Sequence, residues 1–349
     1  MAETPYVLLT GGAGYIGSHT AVELLAQGYE VGILDNLSNA SVRIVDAICA
    51  TAGSDVSFVH GDIRDADCLD AVFRARSVDA VLHFAARKAV AESALAPLPY
   101  YDTNVAGTLR LLECMAAHGV KTLVFSSSAA VYGGGGPAPL REDAPIAPAS
   151  PYGRSKRMVE EILRDLAAAD PGWRISILRY FNAAGAHPDG RLGPTPAVAG
   201  AHLFPAVVQV ARGQRDRLDV FGGDYPTPDG TPVRDYLHVV DLARAHVQAL
   251  RFLAARPRVA IHNLGTSRGH SVLDVVRAFE EVSGATVPVR IADRRTGDVA
   301  ISCADASLAA RDLGWRPERD LRAICADLWR GIRPRHPACG PDDAMGGRP

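Results

Sequence analysis

The sequence predicts a doubly wound parallel α/β sheet with a second, smaller α/β domain attached. Three observations carry this reading. Short apolar runs alternate with helix-like stretches from Tyr6 to Leu178, the first run leads straight into a cluster of glycines, and an aspartate, Asp35, closes the second run. Strands and helices that alternate in this way build a sheet covered by helices on both faces.

The strand-like runs are residues 6–10, 30–34, 56–59, 80–84, 122–125 and 175–178. Each is rich in β-branched or aromatic residues and continuously apolar, which suits strands buried on both faces. Between them, residues 16–27 and 104–118 place apolar side chains at helical spacing. After Asn182 the texture changes. Residues 183–232 are rich in Gly, Pro and Ala and read as loops with one helix near 204–212. A helix over 238–253 leads to a strand over 260–264 that can rejoin the first sheet, and Ser271 is placed to cap a helix over 271–283. The chain accordingly divides into residues 1–182 with 233–267, residues 183–232 with 268–333, and a Pro- and Gly-rich flexible tail, 334–349.

A chain of 349 residues that is 48% hydrophobic and 22% charged is globular rather than disordered. Lys plus Arg number 37 against 39 Asp plus Glu, and a net charge of −2 leaves no basic excess for nucleic acid or an anionic membrane. No apolar stretch is long enough to span a bilayer. Six scattered cysteines without a C-x-x-C pair, and no signal peptide, predict free thiols and a cytoplasmic protein. No H-E-x-x-H or H-x-H pair occurs among the eleven histidines, so no metal site is expected and His83 reads as a packed core residue.

The glycine cluster is Gly11-Gly12-Ala13-Gly14-Tyr15-Ile16-Gly17, at the first βα junction. Glycines at 11, 14 and 17 allow a tight turn and let a pyrophosphate approach backbone N–H groups at a helix N-terminus, the fingerprint of a Rossmann domain. Asp35 lies 18 residues after Gly17, where its carboxylate accepts from a ribose diol and repels a 2′-phosphate. The following Asn36-Leu37-Ser38-Asn39 supplies no cation for such a phosphate, so NAD is preferred to NADP. Asp62, in Gly61-Asp62-Ile63-Arg64, is read either as an adenine contact or as a surface turn paired with Arg64.

A catalytic constellation follows. Tyr152 and Lys156 stand four residues apart behind Ser150-Pro151, a cap and first-turn signature, so both lie on one helix face. Free tyrosine is a poor base at neutral pH, and a nearby ammonium would favour its phenolate. Ser128 ends the fifth strand-like run, at the sheet edge where ligands bind.

These blocks resemble the extended short-chain dehydrogenase/reductase superfamily. The resemblance rests on Gly-Gly-Ala-Gly-Tyr-Ile-Gly-Ser-His-Thr (11–20), Leu-Asp-Asn-Leu (34–37), Gly-Asp-Ile-Arg (61–64) and His-Phe-Ala (83–85). Tyr-Tyr-Asp-Thr-Asn-Val-Ala-Gly-Thr (100–108), Phe-Ser-Ser-Ser-Ala-Ala-Val-Tyr-Gly (125–133) and Ser-Pro-Tyr-Gly-Arg-Ser-Lys (150–156) are similar to its UDP-glucose 4-epimerase branch. So are Leu-Arg-Tyr-Phe-Asn (178–182), Gly-Ala-His-Pro (185–188), Phe-Gly-Gly-Asp-Tyr (221–225), the run 229–239 and Arg-Arg-Thr-Gly-Asp (294–298). The resemblance implies epimerisation by transient oxidation at C4 with tightly bound NAD, Tyr152 taking the O4 proton. It implies a cofactor shell of Gly11, Gly14, Tyr15, Ile16, Gly17, Asp35, Asn36, Asp62, Ile63, Phe84, Ala85, Lys88, Asn104 and Phe181 beside the catalytic three. It implies that Asn182, His202, Leu203, Asp219, Val220, Phe221, Arg234, Arg295 and Asp298, with Lys88, hold the UDP-sugar. It also implies a homodimer built from helices near 104–118 and 152–169.

Departures from the family pattern are Ala86, Ala130 and Ala201-His202, and Ser302 stands where some members carry a tyrosine beside the sugar. A small residue there resembles members that also accept N-acetylhexosamines. A 4,6-dehydratase would need an acid and a base just after the strand-end serine, where this chain has Ala129-Ala130. A 4-epimerase for a pentose or uronate nucleotide, a net dehydrogenase that exchanges its NAD, and a non-catalytic NAD-sensing protein are the remaining rivals.

Overall fold

The computed structural model describes residues 4–134, 138–194, 202–255, 258–295 and 298–332. Its strands are β1 (Tyr6–Thr10), β2 (Glu30–Asp35), β3 (Ser57–His60), β4 (Ala80–His83), β5 (Thr122–Ser128), β6 (Arg174–Tyr180), β7 (Asn182–Ala184), β8 (Leu218–Phe221), β9 (Val233–His238), β10 (Arg258–Leu264), β11 (Gly269–Ser271), β12 (Val289–Ala292) and β13 (Ile301–Ser302). The helices are α1 (Tyr15–Ala26), α2 (Arg43–Ala52), α3 (Ala66–Ala75), α4 (Val90–Leu95), α5 (Leu98–Tyr101), α6 (Gly107–Ala117), α7 (Pro151–Ala169), α8 (Leu203–Ala211), α9 (Val239–Ala255), α10 (Val272–Ser283), α11 (Ser307–Leu313) and α12 (Leu321–Ile332). The expected tail, 334–349, lies outside the described residues.

Seven parallel strands form the main sheet in the order β10-β6-β5-β4-β1-β2-β3. The strand over 260–264 does rejoin it, through β6. Alternate residues of β1 enter opposite cores: Val7 and Leu9 pack with α1 and α9, and Tyr6 and Leu8 with Leu111 and Leu163. This two-sided demand explains why the strand reads as continuously apolar. The run near 56–59 departs from that rule. As β3 it forms the sheet edge, and Ser57, Val59 and His60 are exposed.

Chain order reverses between β1 and β4, so a crevice opens at their carboxyl ends, where Gly11 and Phe84 emerge. The stretch 183–232, expected as loops with one helix, also contributes β7 and β8. β9 stands outside the main sheet and pairs with β7, β11 and β13, whereas α9 after it packs back on α1. A separate core of Phe204, Val207, Val275, Phe279, Ile324 and Leu328 joins α8, α10 and α12. Ser271 caps α10 as expected, in a reciprocal capping box with Asp274.

Candidate active site

The loop after β1 is shaped by glycine. Gly11 has φ +72, and a Cβ there would lie 2.5 Å from the Ala85 backbone nitrogen. A Cβ on Gly17 would meet the Gly11 carbonyl at 2.6 Å, so the loop and the first turn of α1 can touch only without side chains. The α1 N-terminus opens at Gly14 with no side-chain cap, leaving its first N–H groups for a ligand. Asp35 ends β2 buried, accepting from Ala13 N at 3.0 Å and Leu37 N at 2.8 Å. Burial raises its pKa, and the two backbone N–H groups oppose the rise. Tyr15 and Ile16 face the adjoining cavity, and the Tyr15 hydroxyl donates to the Gly185 carbonyl at 2.6 Å. A cradle that a Cβ on Gly11 or Gly17 would fill, beside a buried carboxylate, fits NAD.

The ion-pair reading of Asp62 is the one the structure displays. Asp62 pairs with Arg64 at 2.8 Å and accepts from Asn36 Nδ2 at 2.8 Å, at the strand ends where an adenine would lie. The hydrogen bond from Arg64 holds its pKa well below the usual carboxylate range. Ile63 is buried against Gly107, and the Phe84 ring lies 4.9 Å from that of His246. Asn104 occupies a π-helical turn, and its amide is spent on the chain: Arg87 N donates to it at 2.8 Å, and it donates to Arg87 O and to Ser155, each at 3.0 Å. It thereby fixes the loop that carries Lys88 against α7.

The catalytic trio meets at the carboxyl edge of β5. Ser150 caps α7, accepting from Gly153 N at 3.1 Å, and Pro151 occupies the first turn. Tyr152 and Ser128 both face the same cavity. Ser128 is oriented by accepting from Ala130 N at 3.2 Å. Lys156 is 3% exposed, donates to the Ser126 carbonyl at 2.7 Å and lies 4.8 Å from the centre of the Phe125 ring. Burial lowers its pKa to about 7, and Glu160 opposes the fall. The Tyr152 pKa is raised by burial, with Ser128 pulling the other way. In this geometry the Lys156 ammonium is directed to the Ser126 carbonyl.

Ser128, Tyr152 and Phe181 share one cavity of about 500 Å³ with Asn182, Leu203, Asp219, Val220, Phe221 and Asp298. Lys88, Arg234 and Arg295 bring cationic side chains to the same space, and His202 an imidazole. The Arg295 guanidinium lies 3.9 Å from the centre of the Phe221 ring. Arg234 reaches Asp298 at 3.4 Å. Burial, then Lys88 and Arg295, lower the His202 pKa, so the three groups share one field. Burial likewise lowers that of Lys88. Such a concentration suits a diphosphate. Ser302 is not among the cavity-lining residues; it sits on β13 in register with Arg234. Ala201 lies outside the described residues.

His83 is a packed core residue, hydrogen-bonded to Thr10 at 2.7 Å and Thr108 at 2.8 Å. Among the described residues no three metal-binding side chains converge, no helix is long and apolar enough to cross a membrane, and five cysteines are free. Cys303 points at Asp235, and burial pushes its thiol up to about 12. Tyr180 and Arg215 also line the cavity, and sequence reasoning did not single them out. Tyr180 had a signal: it ends a strand of the main sheet, immediately before Phe181 and Asn182.

A model of the NAD dependent epimerase/dehydratase family matches residues 7–265. The UDP-glucose 4-epimerase of Bacillus subtilis (strain 168) is 52% identical over 324 residues, covering 93% of this chain and 96% of the relative. A crystal structure of UDP-glucose 4-epimerase from Stenotrophomonas maltophila, with bound NAD and formylated UDP-arabinopyranose, superposes with a TM-score of 0.92 at 49% identity, covering 94% of this chain and 97% of that one. The enzyme from Bifidobacterium longum, in complex with NAD+ and UDP, has a TM-score of 0.90 at 45% identity, covering 93% and 97%.

Proposed function

The chain belongs to the NAD dependent epimerase/dehydratase family, and on that premise we propose that it interconverts UDP-glucose and UDP-galactose at C4 with NAD held throughout. The carrying observation is one cavity that joins Tyr152 and Ser128, with Lys156 buried one turn along the same helix, to a cationic cluster fit for a diphosphate. Relatives at about half identity over most of the chain support the choice of substrate.

Bound NAD would supply the acceptor and donor of hydride at C4. Tyr152, beside Ser128 in the cavity, receives the O4 proton as the hydroxyl becomes a carbonyl and returns it to O4 when the turned-over ketone takes hydride on its opposite face. The Lys156 ammonium favours the phenolate by charge once a ligand draws it from Ser126. Lys88, His202, Arg234 and Arg295 hold the diphosphate, and Phe221 packs near the uracil. Binding that rests on the diphosphate leaves the sugar free to turn over between the two half-reactions.

Residues 1–182 with 233–267 serve the cofactor in this reading, and 183–232 with 268–333 serve the nucleotide sugar. Exposed Leu109 on α6 and Met158 on α7 support a homodimer through those helices. The cytoplasm is the proposed compartment, on the free thiols. The small Ser302 supports acceptance of N-acetylhexosamines as well. The test is product analysis of purified protein with UDP-galactose: UDP-glucose supports the assignment, and turnover of only pentose or uronate nucleotides refutes it.

A further inference from the structure

One buried carboxylate reaches every element that carries the catalytic groups. Tyr152, Lys156 and Glu160 are spaced i, i+4 and i+8 along one face of α7. Glu160 is 3% exposed and grips Arg179 of β6 with both oxygens, Nε to Oε1 at 3.0 Å and Nη2 to Oε2 at 2.6 Å. The Ser127 hydroxyl donates to Oε1 at 2.5 Å, between Ser126, which holds Lys156, and Ser128, which meets Tyr152. Arg179 itself is fully buried, donates to Tyr132 at 2.9 Å and the Glu142 carbonyl at 3.0 Å, and directly precedes Tyr180 and Phe181 of the cavity wall.

We infer that Glu160 is a positioning residue for this site: clamped by Arg179, it sets α7 against the ends of β5 and β6 and places a negative charge one helical turn from Lys156. The inference rests on the assignment of Tyr152 and Lys156 made above. Residue types support it. A carboxylate clamped by a fork of guanidinium donors is among the most directional contacts a protein makes, and such a pair in a core costs more in desolvation than an apolar contact of equal volume. The groups that face Lys156 are few. They are Glu160 one turn along its own helix, His83 from β4, and the Ser126 carbonyl and Phe125 ring from β5; Ser127 and Arg179 act on Lys156 only through Glu160, which both of them bind. His83 is neutral, pushed down to about 3 by burial and by Lys156 itself. Arg179 is cationic, so Glu160 serves two positive charges at once.

The chain has three lysines, Lys88, Lys121 and Lys156, which makes the charge directly observable. The experiment uses the full chain carrying its NAD, labelled with 13C-lysine, and follows the Lys156 side-chain resonance with pH in the wild type, Glu160→Gln and Ser127→Ala; Lys156→Arg identifies the resonance. Steady-state turnover of UDP-galactose is measured on the same samples. Glu160→Gln is expected to shift the Lys156 titration to lower pH by roughly one unit and to lower kcat roughly ten- to a hundredfold, with KM nearly unchanged and the alkaline limb of the pH profile moved the same way. Ser127→Ala removes one hydrogen bond and no charge, so it is expected to lower kcat with the titration in place. A Glu160→Gln titration that overlays the wild type, with activity lowered equally at every pH, would mean that Glu160 serves only to hold the fold. If the wild type converts no UDP-galactose, the functional assignment fails, while the NMR titration still decides the role of Glu160.

Discussion

The Lys156 ammonium donates to the Ser126 carbonyl at 2.7 Å, which ties the helix carrying Tyr152 to the strand end carrying Ser128. The contact satisfies one of three ammonium donors in a site almost closed to solvent, and the remaining donors are left for a ligand. Lys156 therefore joins helix and strand, and the proposed reaction assigns its free donors to the ligand.

Tyr152→Phe keeps the ring that lines the cavity and removes only the hydroxyl. Turnover of UDP-galactose is expected to fall by about 10²- to 10⁴-fold, the scale of a lost general acid–base group. NAD content and melting temperature should stay near wild type. Steady-state kinetics beside a cofactor release assay make the check.

Lys156 carries a pH-dependent stability cost. Its folded pKa is lowered from 10.5 to about 7 by burial, so the folded state binds the proton less tightly than the unfolded chain. The stability this group contributes is fully present above pH 10.5 and is lost as pH falls toward 7. Lys156→Met should thus raise the melting temperature of the cofactor-free protein most near pH 6, with the advantage shrinking toward pH 10. Thermal scans across that range give the answer, and a constant difference would contradict the burial argument.

Gly17→Ala sets a Cβ 2.6 Å from the Gly11 carbonyl and 2.8 Å from Gly12 Cα, both backbone atoms of the loop. The loop must open, so the purified variant is expected to carry less than about a tenth of the wild-type NAD, on the scale of other strained loop substitutions. Absorbance of cofactor released by acid measures it.

Asp35→Ala removes the acceptor for Ala13 N and Leu37 N together with the expected ribose contact. Hydrogen bonds to a charged group are worth about 1.5–3 kcal/mol, so NAD affinity should fall at least about tenfold. Discrimination against NADP should shrink with it, because the charge that repels a 2′-phosphate is gone. Isothermal titration of the cofactor-free variant with each dinucleotide tests both statements.

Ser302→Tyr places bulk on β13 in register with Arg234 of the cavity wall. Turnover of UDP-N-acetylgalactosamine should drop while that of UDP-galactose persists. Equal turnover of both sugars by wild type and variant would refute a role for this position.

How far the sequence could be read differed by element. Strands buried on two faces announced themselves by unbroken apolarity, and the glycine turn, Asp35 and the Ser150-Pro151 start of α7 are local signals that sit where they were expected. The edge strand β3 misled because its apolar run is stabilised on one side only. β7 and β8 stayed hidden because they are three and four residues long, and pairing with β9 and β12 defines them. The direction in which Lys156 points could not be read either. Spacing put it one turn from Tyr152, but the competing acceptor, the Ser126 carbonyl, is supplied by a strand 30 residues earlier. Glu160-Glu161 reads in the sequence as an ordinary solvated helix face, yet Glu160 is buried on Arg179, a partner 19 residues away that only the packing of α7 on β6 brings to it.

The central claim is that C4 is oxidised and reduced again inside one closed site with the cofactor retained. UDP-galactose deuterated at C4, incubated with the purified protein in ordinary water without added NAD, tests it most directly. The account predicts UDP-glucose that keeps its deuterium at C4, because the same hydride returns to the sugar. Loss of the label to solvent, or conversion only when NAD is supplied in the medium, would contradict it.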